Sequence, residues 1–230
     1  MRSLVLVPGL GCDDDLYAEQ VRSLRDVVRP VVPDITPAAT VAAMGQAVLD
    51  AAPPSFTLLG LSLGGYVALE VLRAAPERVE ALALLDTSAR PEQPEQTARR
   101  RALLALADEQ GYDAALEVLW PLEVAPSRAA DEALHARFRA MMTRTGEEVF
   151  RRQTRAIVER PDSRPDLPGV AVPTLVLCGR DDRITPLDGH EELAAGIPGA
   201  ELVVLDDCGH LSSWERPDDV DRAVRGWLAR

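Results

Sequence analysis

Along the chain, short runs of aliphatic residues alternate with longer stretches in which apolar positions recur every three or four residues. The runs at 3–7, 27–32, 56–59, 79–85, 174–178 and 202–205 are mostly apolar without interruption. A strand buried on both faces has this texture, whereas a strand with one wet face alternates. Between the runs, residues 14–24, 41–51, 63–74, 187–195 and 217–228 carry the period of amphipathic helices. Alternation of this kind predicts an α/β fold, with about six mostly parallel strands and helices on both faces of the sheet.

One interval breaks the rhythm. Between residues 89 and 168 no strand candidate occurs, and no simple crossover is that long. Apolar residues recur there at helical spacing, as in Leu116, Leu119 and Trp120 or Leu134, Phe138, Met141 and Met142, followed by Phe150 and Ile157. The pattern is broken at Gly111, at 121–126 and near Gly146, which predicts about four helices. The expected organisation is a core of residues 1–88 and 169–230 interrupted by a helical cap at 89–168. Residues 90–165 hold 13 Arg and 13 acidic residues, so the net charge of −12 resides in the core.

Composition then narrows the function. With 47% hydrophobic and 27% charged residues, the chain lies well away from disordered compositions. Its negative charge opposes a phosphate backbone, so no nucleic-acid partner is expected. All 25 basic residues are Arg, which removes every chemistry that needs a lysine amine. The three cysteines, Cys12, Cys178 and Cys208, are scattered and form neither a disulfide framework nor a metal or redox motif. A reducing cytoplasm is the expected compartment, and neither metal nor organic cofactor is implied. The first apolar run is cut short by Pro8-Gly9, too early for a signal peptide, and no apolar run approaches the ~20 residues of a membrane span. A soluble protein with no membrane partner is expected.

The sharpest motif is Gly60-Leu61-Ser62-Leu63-Gly64, between an apolar strand and a helix. Glycines on both sides let strand and helix pass without Cβ collisions and present Ser62 at a tight tip beside a helix N-terminus. A serine hydroxyl needs a base to act as a nucleophile. Of three histidines, His135 lies among Leu134, Phe138 and Met141, as a half-buried helix residue would. His190, beside Glu191 and Glu192, is expected to face solvent. His210 lies in a loop after the last strand, at the same carboxyl edge of the sheet as Ser62, and is the favoured base. For the acid that orients the base, Asp181 and Asp182 both follow the strand at 174–178, and spacing does not separate them. Asp86 is a third candidate whose simpler role is to cap the turn into Thr87 and Ser88. Asp206 and Asp207 are too close to His210 in sequence and suit a strand end.

These features together resemble the α/β-hydrolase superfamily: the glycine-flanked serine, the Gly-x-x-Asp-x-x-x-Pro of residues 179–186, the Gly209-His210 loop, and the chain order Ser, Asp, His. The resemblance covers nearly the whole chain and implies the catalytic set Ser62, Asp182 and His210. It also implies an oxyanion hole from the backbone N–H groups of Leu10 and Leu63. The family's usual His-Gly at the first of these loops is Pro8-Gly9 here, and by the same resemblance the chain starts at the family's third strand. The expected activity is hydrolysis of small or medium carboxylic esters, a small-molecule substrate class, through an acyl-enzyme. Lactones, thioesters and carbon–carbon bonds of ring-cleavage products are alternatives for the same residues, and a non-catalytic ligand-binding protein is the alternative of another class. Dehalogenase and epoxide hydrolase activities are disfavoured, because they place Asp where Ser62 stands.

Lesser features have simpler expected roles. Asp13-Asp14-Asp15 starts a helix as a cap, Cys12 is a small apolar lining residue, and Arg99-Arg100-Arg101 forms a solvated face rather than an anion site. Trp120, Phe138, Met141, Met142 and Phe150 are candidates for a substrate pocket under the cap, one or two of them reaching substrate.

Overall fold

The computed structural model describes residues 1–229. Six strands form one sheet: β1 (Arg2–Val7), β2 (Val28–Val31), β3 (Phe56–Leu61), β4 (Val79–Leu85), β5 (Thr174–Gly179) and β6 (Glu201–Leu205). Their order is β2-β1-β3-β4-β5-β6, and every neighbouring pair is parallel. The helices are α1 (Ala18–Leu24), α2 (Val41–Ala51), α3 (Leu63–Ala74), α4 (Pro94–Gln110), α5 (Tyr112–Glu123), α6 (Glu132–Thr145), α7 (Glu147–Val158), α8 (Leu187–Gly196), α9 (Ser212–Glu215) and α10 (Pro217–Leu228).

Parallel pairing explains the uninterrupted apolar runs, because each strand must meet a helical layer on both sides. Within β1, Leu4 and Leu6 pack with Leu24 of α1 and Val224 and Trp227 of α10. Val5 and Val7 point the other way, to Met44 and Val48 of α2 and Val67 of α3. Each such fully buried side chain contributes roughly 1.5–3 kcal/mol, so a one-residue slip in register would be prohibitive. The four helices α4–α7 fill the β4–β5 interval, and Leu116, Phe138 and Phe150 from them join the same cluster as Leu4 and Leu6.

Local departures from the sequence pattern have simple causes. Residues 14–24 open as a 3-10 turn, Asp14–Tyr17, before α1 begins, with the Asp13 carboxylate accepting from the Asp15 N–H as a cap. Asp13 and Asp15 also take ion pairs from Arg144 and Arg137 of α6, which tie this turn to the insertion. Helix α5 runs through Pro121 to Glu123, where the pattern suggested a break. Proline removes one N–H, which shortens a helix's hydrogen bonding but does not forbid another half turn. The short α9 carries too few residues to show a period.

Candidate active site

Ser62 is the single residue between β3 and α3, with φ 57° and ψ −116°. A side-chain-bearing residue held there costs roughly 1–3 kcal/mol, and the surroundings must over-determine it. They do: the Ser62 N–H donates to the Leu85 carbonyl at 3.0 Å, and the Ser62 carbonyl accepts from the Gly65 N–H at 2.9 Å and Thr87 Oγ1 at 2.8 Å. Gly64 is needed because a Cβ there would stand 1.9 Å from the Val7 carbonyl oxygen, where α3 passes β1 backbone to backbone.

His210 Nε2 lies 2.8 Å from Ser62 Oγ, and its Nδ1 lies 2.7 Å from Asp182 Oδ2. With Nδ1–H donating to Asp182, Nε2 is left to accept the serine proton. Asp182 is fixed in turn by the N–H groups of Ile184 and Thr185 at 2.8 and 2.9 Å and by Thr185 Oγ1 at 2.7 Å. All three groups are buried. Burial pushes the His210 imidazole down, but the charge and hydrogen bond of Asp182, helped by Glu123 and Asp86, override it and raise the group to about 9. Burial also opposes charge on Asp182, and His210 with the Thr185 hydrogen bonds outweighs it and lowers that carboxyl.

The geometry separates the three acids that spacing left open. Asp181 uses its backbone N–H on the Cys208 carbonyl and does not reach His210. Asp86 is no local cap: it is buried with φ 44°, accepting from the Gly179 N–H and from Ser212 Oγ, beneath the loops that carry Asp182 and His210. Burial, then the nearby Asp182 charge, pushes its carboxyl well up. His135 is half-buried and stacks on Trp120 at 5.0 Å. His190 is not solvent-exposed as its acidic neighbours suggested. It is fully buried, with Nε2 accepting from the Thr87 N–H at 2.8 Å and Nδ1 3.3 Å from the Pro186 carbonyl, and burial pushes it down to about 4. The reason is helical geometry: on α8, His190 and Leu193 share the inward face.

Ser62 and His210 open onto a cavity of about 40 Å³. Gly9, Leu10 and Cys12 line it from the core, and Leu119, Glu123, Phe150 and Thr154 from the helices of the insertion. Of the five pocket candidates, Phe150 lines this cavity. Trp120, Phe138, Met141 and Met142 instead are turned into packing, Trp120 donating from Nε1 to the Ala129 carbonyl and lying 5.5 Å from the Phe138 ring. Cys12 is buried, and burial pushes its thiol well up, so it is an apolar wall. The N–H groups of Leu10 and Leu63 donate to no backbone carbonyl among the described residues.

Several site residues carry no sequence motif. Gln153 of α7 accepts from the Gly11 N–H at 2.8 Å, bracing the Pro8-to-Gly11 loop where Pro8 stands, and Met142 packs against Gly11. The Glu123 carbonyl accepts the N–H groups of both His210 and Leu211 at 3.0 Å. Glu215 accepts from the Gly209 N–H at 2.9 Å and the Ala125 N–H at 2.8 Å. Burial pushes the Glu123 carboxyl up to about 7. Arg100, expected on a solvated face, is half-buried, lines the cavity, and bonds Glu92 through Nε at 2.7 Å. A polar residue on an otherwise apolar helix face, as Gln153 is between Phe150 and Ile157, was the available signal for the first of these.

Residues 7–217 match the sequence profile of the alpha/beta hydrolase fold. The chain belongs to the α/β-hydrolase family. A 2-hydroxy-6-oxononadienedioate/2-hydroxy-6-oxononatrienedioate hydrolase of Klebsiella pneumoniae is 34% identical over 179 residues, which cover 75% of this chain and 62% of that one. The chain thus spans about three fifths of the length of the curated relatives it matches. Among solved structures, a thermophilic esterase from Thermogutta terrifontis superposes with TM-score 0.88 at 31% identity, covering 100% of this chain and 90% of that one. An enol-lactonase from Burkholderia xenovorans superposes with TM-score 0.88 at 26% identity, covering 100% and 92%. No helix of this α/β-hydrolase, among the described residues, is long and apolar enough to cross a membrane.

Proposed function

We propose that this α/β-hydrolase cleaves carboxylic esters, lactones included, through an acyl-enzyme on Ser62. The observation that carries the reading is the unbroken hydrogen-bonded series Ser62–His210–Asp182, opening on a cavity that Leu10 also lines, with N–H groups of Leu10 and Leu63 that no backbone carbonyl among the described residues takes. In this reading His210 Nε2 removes the Ser62 proton as Oγ attacks the carbonyl carbon. Asp182 holds the tautomer and stabilises the imidazolium, and Leu10 and Leu63 donate to the oxyanion. His210 then gives the proton to the departing alcohol, and water, deprotonated by His210, releases the acid. No step calls for a cofactor.

Residues 89–168 act in this reading as a cap that walls the site and sets substrate size. Three buried, unpaired thiols suit a reducing compartment such as the cytoplasm. A second reading, carbon–carbon bond hydrolysis, is favoured by the names of the sequence relatives. The ester reading is preferred because a solved esterase superposes along the whole chain, insertion included. Labelling by a fluorophosphonate probe, lost in Ser62→Ala, tests the nucleophile. A hydrolysis screen over esters, lactones and ring-cleavage dienones tests the bond. Absence of labelling at Ser62 would sink the proposal, and turnover of dienones alone would move it to the second reading.

A further inference from the structure

The cavity at Ser62 is too small for a whole substrate. A cavity of about 40 Å³ has room for a few water-sized groups, such as the reacting carbonyl and its nearest atoms. The remainder of any substrate must leave through a wall. A groove of about 620 Å³ adjoins it, running between α4 and α5 and along the turn at Arg183 and Ile184. Arg100, Leu103, Leu119 and Ile184 line both spaces, so groove and cavity adjoin across these four side chains. The groove's volume lies within the range of small-molecule sites.

Its chemistry has two parts. The floor and sides are apolar, with Leu106, Val118 and Leu122 added to the shared residues, and Val118 is 52% exposed, one of few large apolar side chains open to solvent. The charges are Arg99, Arg100 and Arg183 against Glu109, a positive surplus in a protein of net charge −12. Arg100 is the pivotal one, because it stands at the junction. Its Nε is bonded to Glu92, but Glu92 also serves Arg160, so one carboxylate is divided between two guanidinium groups. The terminal amino groups of Arg100 bond no protein acceptor among the described residues. Glu123 is the acid facing Arg100 from the cavity side, and burial, which pushes its carboxyl up, weakens its opposition to an anion.

We propose that the α4–α5 groove holds the acyl chain of the substrate and that Arg100, flanked by Arg99 and Arg183, binds a carboxylate carried on that chain. The substrate class is then an aliphatic ester or lactone whose acyl part is anionic, and the Arg99-Arg100-Arg101 run is part of a recognition site. The proposal rests on Ser62 being the nucleophile for its position at the reacting end, but not for the groove's occupancy.

The test separates the two. Binding of monomethyl suberate and of dimethyl suberate to Ser62→Ala is measured by calorimetry; the ligands share a chain and differ in one charge. The monoanion is expected to bind about tenfold more tightly, as a charge-assisted hydrogen bond provides. The advantage should vanish in Ser62→Ala with Arg100→Gln and shrink with added salt. Because Arg100 also holds Glu92, exposed Arg99→Glu gives an independent check: it should weaken the monoanion more than the diester. Equal binding of the two ligands, binding of neither, or a preference indifferent to both arginine changes overturns the groove assignment. A preference that follows the arginines, in a protein that hydrolyses no ester, supports the groove and overturns the hydrolytic reading instead.

Discussion

The edge of the sheet and the α4–α7 insertion contribute to one cavity by different physical means. At the sheet edge, Ser62, Asp182 and His210 occupy loops whose positions are set by backbone against backbone, as where Gly64 lies on the Val7 carbonyl. The insertion contributes through side chains on helix faces and through ion pairs such as Arg137 with Asp15 and Glu19. The first arrangement fixes atoms within hydrogen-bond tolerance, which proton transfer needs. The second makes walls that can change one residue at a time. The division is not complete, however, because the Glu123 carbonyl holds the His210 loop and Gln153 holds the Gly11 loop from the insertion side.

The largest effects should come from the sheet edge. Ser62→Ala and His210→Ala are each expected to lower ester turnover by on the order of 10⁴ to 10⁶, since such groups act as a unit. Asp182→Asn should cost about 10⁴, and Asp181→Asn and Asp86→Asn far less. Steady-state kinetics on purified variants, with circular dichroism to check folding, rank them; a tenth of normal activity in either alanine variant would remove that residue from the mechanism.

Gln153→Ala tests whether the insertion reaches the chemistry. It leaves the Gly11 N–H without its acceptor and frees the loop that carries Leu10. The expected loss is roughly tenfold in kcat with KM little changed, below the 10²–10³ seen when an oxyanion donor itself is lost. A change confined to KM would make Gln153 a wall and nothing more.

Glu123→Gln should produce a smaller and more diagnostic change. In the proposed mechanism activity requires neutral His210, so kcat/KM should rise with pH as that group, held at about 9, loses its proton. Glu123, raised to about 7, is ionised where His210 titrates, and its negative charge stabilises the imidazolium. Removing the charge lowers the His210 value, so the acid limb should move to lower pH by roughly half a unit or more, with Asp182 and Asp86 still facing the ring. Profiles from pH 6 to 10 decide it, and an unmoved limb would mean that Asp182 alone sets the value.

How far the chain could be read from its letters follows the same division. The six strands, the flanking helices and the Gly60-to-Gly64 turn were legible because sheet burial and strand-to-helix sterics act over a few neighbouring residues. His210 was legible because strand order puts its loop at the edge that carries Ser62. The choice among Asp181, Asp182 and Asp86 was not, as all three follow strands and only one has a side chain aimed at Nδ1. His190 misled for a related reason: adjacent glutamates describe the neighbouring faces of a helix, and packing of α8 on the sheet decided which face was inside. Trp120, Phe138, Met141 and Met142 read as pocket candidates from apolar spacing alone, which marks burial but does not distinguish a wall from the packing behind it.

Fold class, the serine turn and the paired histidine loop were thus determined by the sequence itself, because each rests on local sterics or on the period of a strand or helix. Tertiary structure alone decided the rest. The division of Glu92 between Arg100 and Arg160, the grip of Gln153 on Gly11 and the placing of a wide groove beside a small cavity each bring together residues distant in the chain. Such contacts depend on the angle at which helices cross a sheet edge, and no local pattern encodes that angle.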